Sequence, residues 1–537
     1  MSEIDQKILP QGAASASDVD QEKNPLETVL SSMTENPIEA SIPYSLDNPL
    51  HPYYWPSWKK WSITIIYCLL QVFVTLTSTT YLSVEYVYQD RFGTNSQVAT
   101  MPQSFFIFGT AFGCAFAGPL SDIGGRKWIY VISMIFYILT NIGCALCLNM
   151  PMLVIFSFLT GVAGSCALSN VAGTIGDLFS YSDSASQPMS FFVASANIGP
   201  SIGSPIGEWI GDNVHMGAAW IYWINCIFAG AFAIGLSFVP ETLPRIVIQE
   251  TNYLATLEGS PKPFFIREFY YLIDTFTGKE KPYEIAAEDN SNAVVVKRSN
   301  YFTEIRFILV MAFKMFLTEP IILFLGLFNG FAYGLLFLYL DGVFDVFVVN
   351  NGLSYIAADL TYLNFVAGVI IVICIVPIQT WLFARSRKNN GGIPIPESRF
   401  LLSLVFVWGF PISLFWFAFT SNGKTNYWSC IVAGALLGVA DPLLWLAMLN
   451  YIIDSYSESG LANSAIAAFT IPSFAIAGCL AHAGVAMFEN MTTTWAVATL
   501  AFISLGVVVL VYVFYFFGAK IRAKSKLARI GMDIKGQ

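Results

Sequence analysis

Twelve stretches of this chain stay apolar over a length that crosses roughly 30 Å of hydrocarbon, and that pattern leaves few folds open to it. They lie near 62–86, 103–121, 128–148, 152–176, 189–210 and 218–239, then near 319–346, 354–383, 400–419, 428–450, 461–487 and 494–517. A polar segment, 240–305, parts the two sets of six, and an amphipathic stretch around 303–316 leads into the second. Two sixes predict an all-α membrane protein made of two pseudo-symmetric six-helix bundles, 51–239 and 306–518, with a solute held where they meet near mid-membrane. Residues 1–50 are rich in Ser, Asp, Glu, Pro and Asn and carry no leader pattern, so they read as a disordered tail. The central loop is expected at 240–305 and a basic tail at 519–537.

Composition narrows the function. Only 12% of residues are charged and mean hydropathy is +0.60, against about 25% charged in soluble domains. The net charge of -9 owes much to the first fifty residues, so it says little about partners, and nucleic acid is excluded. Cys144 and Cys147 form the single Cys-x-x-Cys, inside an apolar run, and read as packing rather than as a metal or redox pair. His51, His215 and His482 are the only histidines, too few for a histidine-built metal site. No phosphate-binding Gly-x-x-x-x-Gly-Lys-Ser/Thr loop is present, and no nucleophile, base and orienter fall at recognisable spacing. An enzyme is therefore not expected. No cofactor is expected either: transport would draw on a proton gradient, the partners being protons, a small-molecule solute and the lipid bilayer, with the chain acting as a monomer.

Orientation follows from lysine and arginine near the span ends. Arg126, Lys127, Arg245, Arg385, Arg387, Lys388, Arg399, Lys520 and Arg522 fall on one side, Arg91 and Lys424 on the other. Both termini and the central loop are thus expected in the cytoplasm, and the plasma membrane is the expected location. The outer sequon at Asn490 sits in a loop too short for glycosylation to be expected.

The turn between the second and third runs reads GPLSDIGGRK at 118–127. Gly118 would let a helix end lie close to a neighbour, and Gly124 with Gly125 permits a tight turn. Asp122 carries a charge beside Arg126 and Lys127, where charge-assisted hydrogen bonds can pin two helices. The pattern Gly-x-x-x-Asp-x-x-Gly-Arg-Lys resembles motif A of the major facilitator superfamily, which joins the second and third membrane helices on the cytoplasmic side. The resemblance implies a gate in which Asp122 and Arg126 hold the outward-open state, so neutralising them is expected to impair turnover more than binding.

In the fifth run, Gly199, Pro200 and Gly203 open a string of small residues and prolines that bends a helix and admits a close partner. This resembles motif C of drug:proton antiporters, with Glu208 where a second glycine is usual. Pro240-Glu241-Thr242-Leu243-Pro244, Leu317-Thr318-Glu319-Pro320, Gly173 to Phe179, Pro396-Glu397-Ser398-Arg399 and Tyr451 to Tyr456 resemble the fungal twelve-span drug:proton antiporter branch, over residues 45–527. Members of that group include polyamine and multidrug exporters and proton-coupled uptake proteins of amiloride-resistance, vitamin B6 and organic-cation type. One departure concerns mechanism. The branch usually carries an arginine four residues before a glycine in the fourth span, motif B, linked to proton transfer; here Ser157 stands before Gly161.

A carboxylate kept at the membrane centre costs about 2.5 to 3.5 kcal/mol on insertion scales, so each one is a site candidate. Gln71, Thr75, Ser78, Tyr81 and Glu85 recur at helical steps in the first run and predict one polar face, with Glu85 a substrate or proton carrier. Asp441, followed by Pro442 and one turn before Trp445, is the second candidate, where an aromatic face could meet a cation. Asn329 and Tyr333 are expected to line the same cavity. Asp341, Asp345 and Asp359 read as a solvated vestibule, Tyr362 as a weaker liner and His482 as a histidine bonded within the bundle. The spans hold several acids and no mid-membrane lysine or arginine, which disfavours anions. The expected function is proton-coupled transport of organic cations or amphiphilic drugs of polyamine or multidrug type, by alternating access. The alternatives are a symporter taking up a polyamine or a vitamin such as pyridoxine, and a membrane sensor that does not transport.

Overall fold

The computed structural model describes residues 48–179, 186–213, 215–248, 301–391, 395–456 and 462–525. The expected N-terminal tail, most of the central loop and the last part of the basic tail lie outside the described residues. Within them the long elements are helices: α1 (Ser57–Thr80), α2 (Met101–Gly124), α3 (Arg126–Ala145), α4 (Met150–Phe179), α5 (Ser186–Gly211) and α6 (Trp220–Ser237) in the first half. The second half contributes α7 (Pro320–Val343), α8 (Leu363–Asn389), α9 (Gly409–Thr420), α10 (Trp428–Tyr456), α11 (Ala462–Asn490) and α12 (Thr493–Lys524). This is the all-α membrane architecture that the apolar runs predict.

Among the described residues, eleven helical segments are long and apolar enough to cross a membrane, and α5 is not among them. Its length matches its neighbours, but it carries Ser190, Ser195, Asn197, Ser201 and Ser204, all buried. Those polar residues face protein rather than lipid, so α5 needs less hydropathy to remain in place.

Packing repeats between the halves. Helix α1 packs on α5 and α7 on α11; α2 packs on α4 and α8 on α10; α3 packs on α6 and α9 on α12. The halves meet along two seams, α2 against α11 and α5 against α8. These seams exchange when each helix is replaced by its counterpart six places on, which is the contact pattern of a two-fold repeat. The Tyr301–Thr318 helix, longer than the predicted amphipathic stretch and beginning before residue 306, lies against both α2 and α11 and so touches both halves.

Small residues set the helix spacing. A methyl group added to Gly199 would strike Thr75, one on Gly203 would strike Thr79 and the Leu76 carbonyl, and one on Gly207 would approach the Thr80 carbonyl. Partners advance in step along both helices, so α1 and α5 run parallel in near backbone contact. Thr79 Oγ1 donates to the Pro200 carbonyl at 2.8 Å across this seam. Gly118 behaves otherwise: a side chain there would meet open space, because α2 makes its close approaches at Gly109 and Gly113, against α4.

The structure corrects several boundaries. Helix α1 ends at Thr80, and a tight turn at Leu82–Val84 precedes a new helix, Glu85–Phe92. The polar face expected to run from Gln71 to Glu85 is therefore broken before Glu85. Helix α7 ends in a widened π-turn, Phe344–Val349, and α9 is entered through a separate turn, Ser403–Phe406.

Replacing Gly203 with Ala should force α1 and α5 apart. Overpacking of this kind costs about 1–3 kcal/mol. Thermal unfolding of the purified protein in detergent should show a lower midpoint for Gly203→Ala and an unchanged one for Gly118→Ala.

Candidate functional site

A buried carboxylate without hydrogen-bond partners among the described residues lies one turn from a cluster of aromatic rings. Asp441 sits in the middle of α10 and is 4% exposed. Neither of its oxygens has a hydrogen-bond partner among the described residues. Trp445, one turn on, brings its ring 5.6 Å from that of Tyr333 on α7 and 6.1 Å from that of Phe192 on α5. Tyr333 in turn packs edge-on to Phe337 and Phe474, at 5.4 Å each, and lies within electrostatic reach of Asp441. Asn329 is buried one turn before Tyr333 on α7.

These residues come from both halves. A buried carboxylate without partners is expensive in an apolar setting, and a cation or a proton beside it relieves that cost. Ring faces add attraction for a cation. Phe192, Phe337 and Phe474 are members that sequence reasoning missed, since an aromatic residue in an apolar helix gives no local sign of which helix it will meet.

The first-half candidates lie elsewhere. Ser78 and Tyr81 line a separate cavity of ≈ 20 Å³ with Gln103, Asn141, Ser157 and Tyr222. Ser78 donates to the Thr75 carbonyl at 2.6 Å and Thr75 to the Gln71 carbonyl at 2.8 Å, so these hydroxyls are spent on their own helix. Glu85, half-buried beyond the break in α1, accepts from Thr100 Oγ1 at 2.7 Å. His482 keeps an Nδ1 without a partner among the described residues, against the expectation that it is bonded in the bundle.

At the end opposite the arginine clusters, Asp359 is no mere vestibule residue. Its Oδ2 accepts from Ser204 at 3.0 Å and from Ser83 at 3.3 Å, both in the other half. Ser96 likewise bonds Glu489 of α11. Asp345 is half-buried nearby in sequence, and the side chain of Asp341 lies outside the described residues. Tyr362 is buried and donates to the Leu336 carbonyl at 2.7 Å.

The basic end holds an ion-pair network. Gly125 has φ +91°, which turns the chain so that α3 starts at once with Arg126. Arg126 is buried and pairs with Asp122 at 3.1 Å and Asp177, near the end of α4, at 2.6 Å. It also donates to Ser121 at 2.9 Å. Glu241 caps α3, accepting from the backbone N–H of Arg126 at 3.0 Å and of Lys127 at 3.1 Å, where a carboxylate complements the helix N-terminus. Asp177 and Glu241 lay inside recognisable sequence segments, but their pairing with Arg126 was not legible there.

The second half repeats the device. Arg399 holds Asp454, near the end of α10, at 2.7 Å, and Arg522 holds Glu397 with two hydrogen bonds of 3.0 and 2.8 Å. Arg399 also donates to Ser186 Oγ at 3.2 Å, tying the second half to α5 of the first.

Comparison with known proteins agrees with this architecture. The family model of the Major Facilitator Superfamily matches residues 67–470. An uncharacterized transporter of Schizosaccharomyces pombe is 48% identical over 90% of this chain and 83% of its own. The vitamin B6 transporter bsu1 of the same organism is 40% identical over 91% of this chain and 86% of its own. Among solved structures, the proton:xylose symporter XylE superposes with a TM-score of 0.60, 13% identity and coverage of 86% of this chain and 97% of its own, a likeness of fold.

Truncating one partner of a buried ion pair strands the other charge, at a cost of about 3–5 kcal/mol. Asp177→Ala should therefore lower the thermal midpoint clearly more than removal of the exposed Asp90, measured on the purified protein.

Proposed function

The chain belongs to the major facilitator superfamily, and on that premise we propose that it is a proton-coupled carrier of organic cations, working by alternating access of its two halves. That it is a multi-pass membrane transporter of a small molecule, and not an enzyme, follows from the family and the relatives. The cationic substrate is supported by one observation above others: Asp441, without a hydrogen-bond partner among the described residues, lies within electrostatic reach of Tyr333 and one turn before Trp445, whose ring meets those of Tyr333 and of Phe192 in the other half. A cation placed there gains the charge and the ring faces together.

Because Asp441, Tyr333 and Trp445 are all buried, loading requires the halves to part. The contacts that must break are Ser83 and Ser204 with Asp359 and Ser96 with Glu489 at one end, and Arg399 with Ser186 at the other. A proton and a cation then compete for one carboxylate, so occupancy by either links transport to the gradient. The arginine and lysine distribution supports cytoplasmic termini, and we assign the protein to the plasma membrane. Motif A then forms a cytoplasmic gate.

Within this reading the substrate is either a polyamine or drug-like amphiphile or a pyridine-type vitamin such as pyridoxine. The second is favoured by the 40% identity to a vitamin B6 transporter and by rings that suit a flat heterocycle. Fluxes of radiolabelled pyridoxine and spermidine, in cells with and without the protein at two external pH values, test the choice. Accumulation that rises with the protein and with external acidity indicates symport, and reduced accumulation indicates export. Asp441→Asn should cut this pH-dependent flux at least tenfold while leaving the thermal midpoint equal or higher, since it removes a stranded charge. Unchanged pH-dependent flux after neutralising both Asp441 and Glu85 would sink the proposal.

A further inference from the structure

Each half holds a small cavity among largely corresponding helices, although α8, the counterpart of α2, takes no part in the second, and the two are lined by different chemistry. In the first half, α1, α2, α3, α4 and α6 supply Ser78, Tyr81, Gln103, Asn141, Ser157 and Tyr222 around ≈ 20 Å³. In the second, the counterpart helices α7, α9, α10 and α12 supply Leu338, Phe417, Leu437 and Leu500, joined by Phe488 of α11, around ≈ 20 Å³.

The second cavity leaves the polar side chains that line it partnered: Ser413 donates to the Phe410 carbonyl at 3.0 Å, and the Tyr339 hydroxyl accepts from Asn364 at 3.2 Å, although Asn364, outside the lining, keeps its Oδ1 without a partner among the described residues. The first does not. Among the described residues, Gln103, 1% exposed, lacks a partner at both amide atoms, and Asn141, 0% exposed, at its oxygen. The buried Tyr222 hydroxyl also lacks one among the described residues. Each stranded polar atom costs about 1–3 kcal/mol. A fold that closes one copy of this position with leucine and phenylalanine had no packing need to keep the other polar. A volume of this size with several polar walls suits about one bound water.

We propose that the first-half chamber binds a water molecule and serves as a proton relay to Glu85, at the place where Ser157 replaces the arginine of motif B. The inference rests on the proton-coupled reading above and adds to it a second proton acceptor, Glu85, in the first half. Tyr81 is one turn before Glu85, and its hydroxyl donates to the Ala99 carbonyl at 2.8 Å, beside Thr100. Thr100 donates to Glu85 at 2.7 Å, and Gln103 follows Thr100 by one turn. In the transfer, the Thr100 hydroxyl gives its proton to the carboxylate as it takes one from the bound water, and the water takes one in turn from the aqueous medium. The hydroxyl and the water are left unchanged, and Glu85 gains one proton and becomes neutral.

The groups facing Glu85 are Thr100 and Tyr81, with Tyr88 stacked on Tyr81 and Glu489 reached through Ser96, whose carbonyl accepts from Thr100. Ser157 is short enough to leave the chamber open. An arginine there would fill it and bring a fixed charge.

Two measurements on the full-length protein in liposomes test this. Radiolytic hydroxyl labelling, which marks side chains next to bound water, should modify Tyr222 several-fold faster than the equally buried Tyr339 of the second cavity. Asn141→Leu should bring Tyr222 down toward the Tyr339 rate, whereas equal rates in the unmodified protein overturn the water site. Proton movement is then followed with an enclosed pH dye, using pyridoxine and spermidine as probes. Asn141→Leu should slow it at least tenfold, Asn141→Ser should restore most of it, and counterflow of labelled probe should survive in both. Loss of counterflow together with proton movement marks a structural role and overturns the relay, as does unchanged proton movement in Asn141→Leu. Absence of proton movement in the unmodified protein overturns the coupled reading itself, while the labelling comparison still judges the water site alone.

Discussion

In hydrocarbon, apolar side chains gain nothing by leaving lipid for one another, so helices associate through close contact and through polar groups that find partners. Everything specific in this molecule depends on that constraint. The glycine and threonine contacts of α5 with α1 bring backbones together, and the same closeness lets Thr79 reach the Pro200 carbonyl. Polar side chains follow into these seams because lipid offers them no partner. Helix α5 shows the consequence: it is polar enough to fall short of a membrane-crossing hydropathy, yet it buries its serines between α1 and α8.

Most buried polar groups in such a bundle end in hydrogen bonds, and the exceptions carry the functional argument. Arg126 is surrounded by Asp122, Asp177 and Ser121 at the basic end, and Arg399 and Arg522 are matched in the same way in the second half. These charges are paired inside the protein. Asp441 differs, because neither of its oxygens has a hydrogen-bond partner among the described residues. Under the proposed function that cost is relieved by an arriving cation or proton, which the paired arginines do not need.

The repeat makes the differences between halves informative. Both halves use an arginine near the start of one span to hold an aspartate near the end of another, at 2.6 and 2.7 Å. Both hold a cavity among largely corresponding helices, and among the described residues the first is lined with unpartnered amides while the second is lined mainly by apolar side chains. The central carboxylate, in contrast, lies in the second half.

The sequence by itself determined the fold class, the division into two sixes and the family, because run length, charge distribution and a turn such as 118–127 are local properties of the chain. It also singled out Asp441, Tyr333, Trp445 and Arg126 as residues whose chemistry is out of place in an apolar helix. Only the tertiary structure decided which of these meet. Phe192 reaches Trp445 across 253 positions, Asp177 and Glu241 converge on the Arg126 turn, and Glu85 is cut off from the α1 stripe by a break at Leu82–Val84. The reason is physical: helical periodicity records which face of a helix is polar, while the partner of that face depends on how closely two backbones can approach.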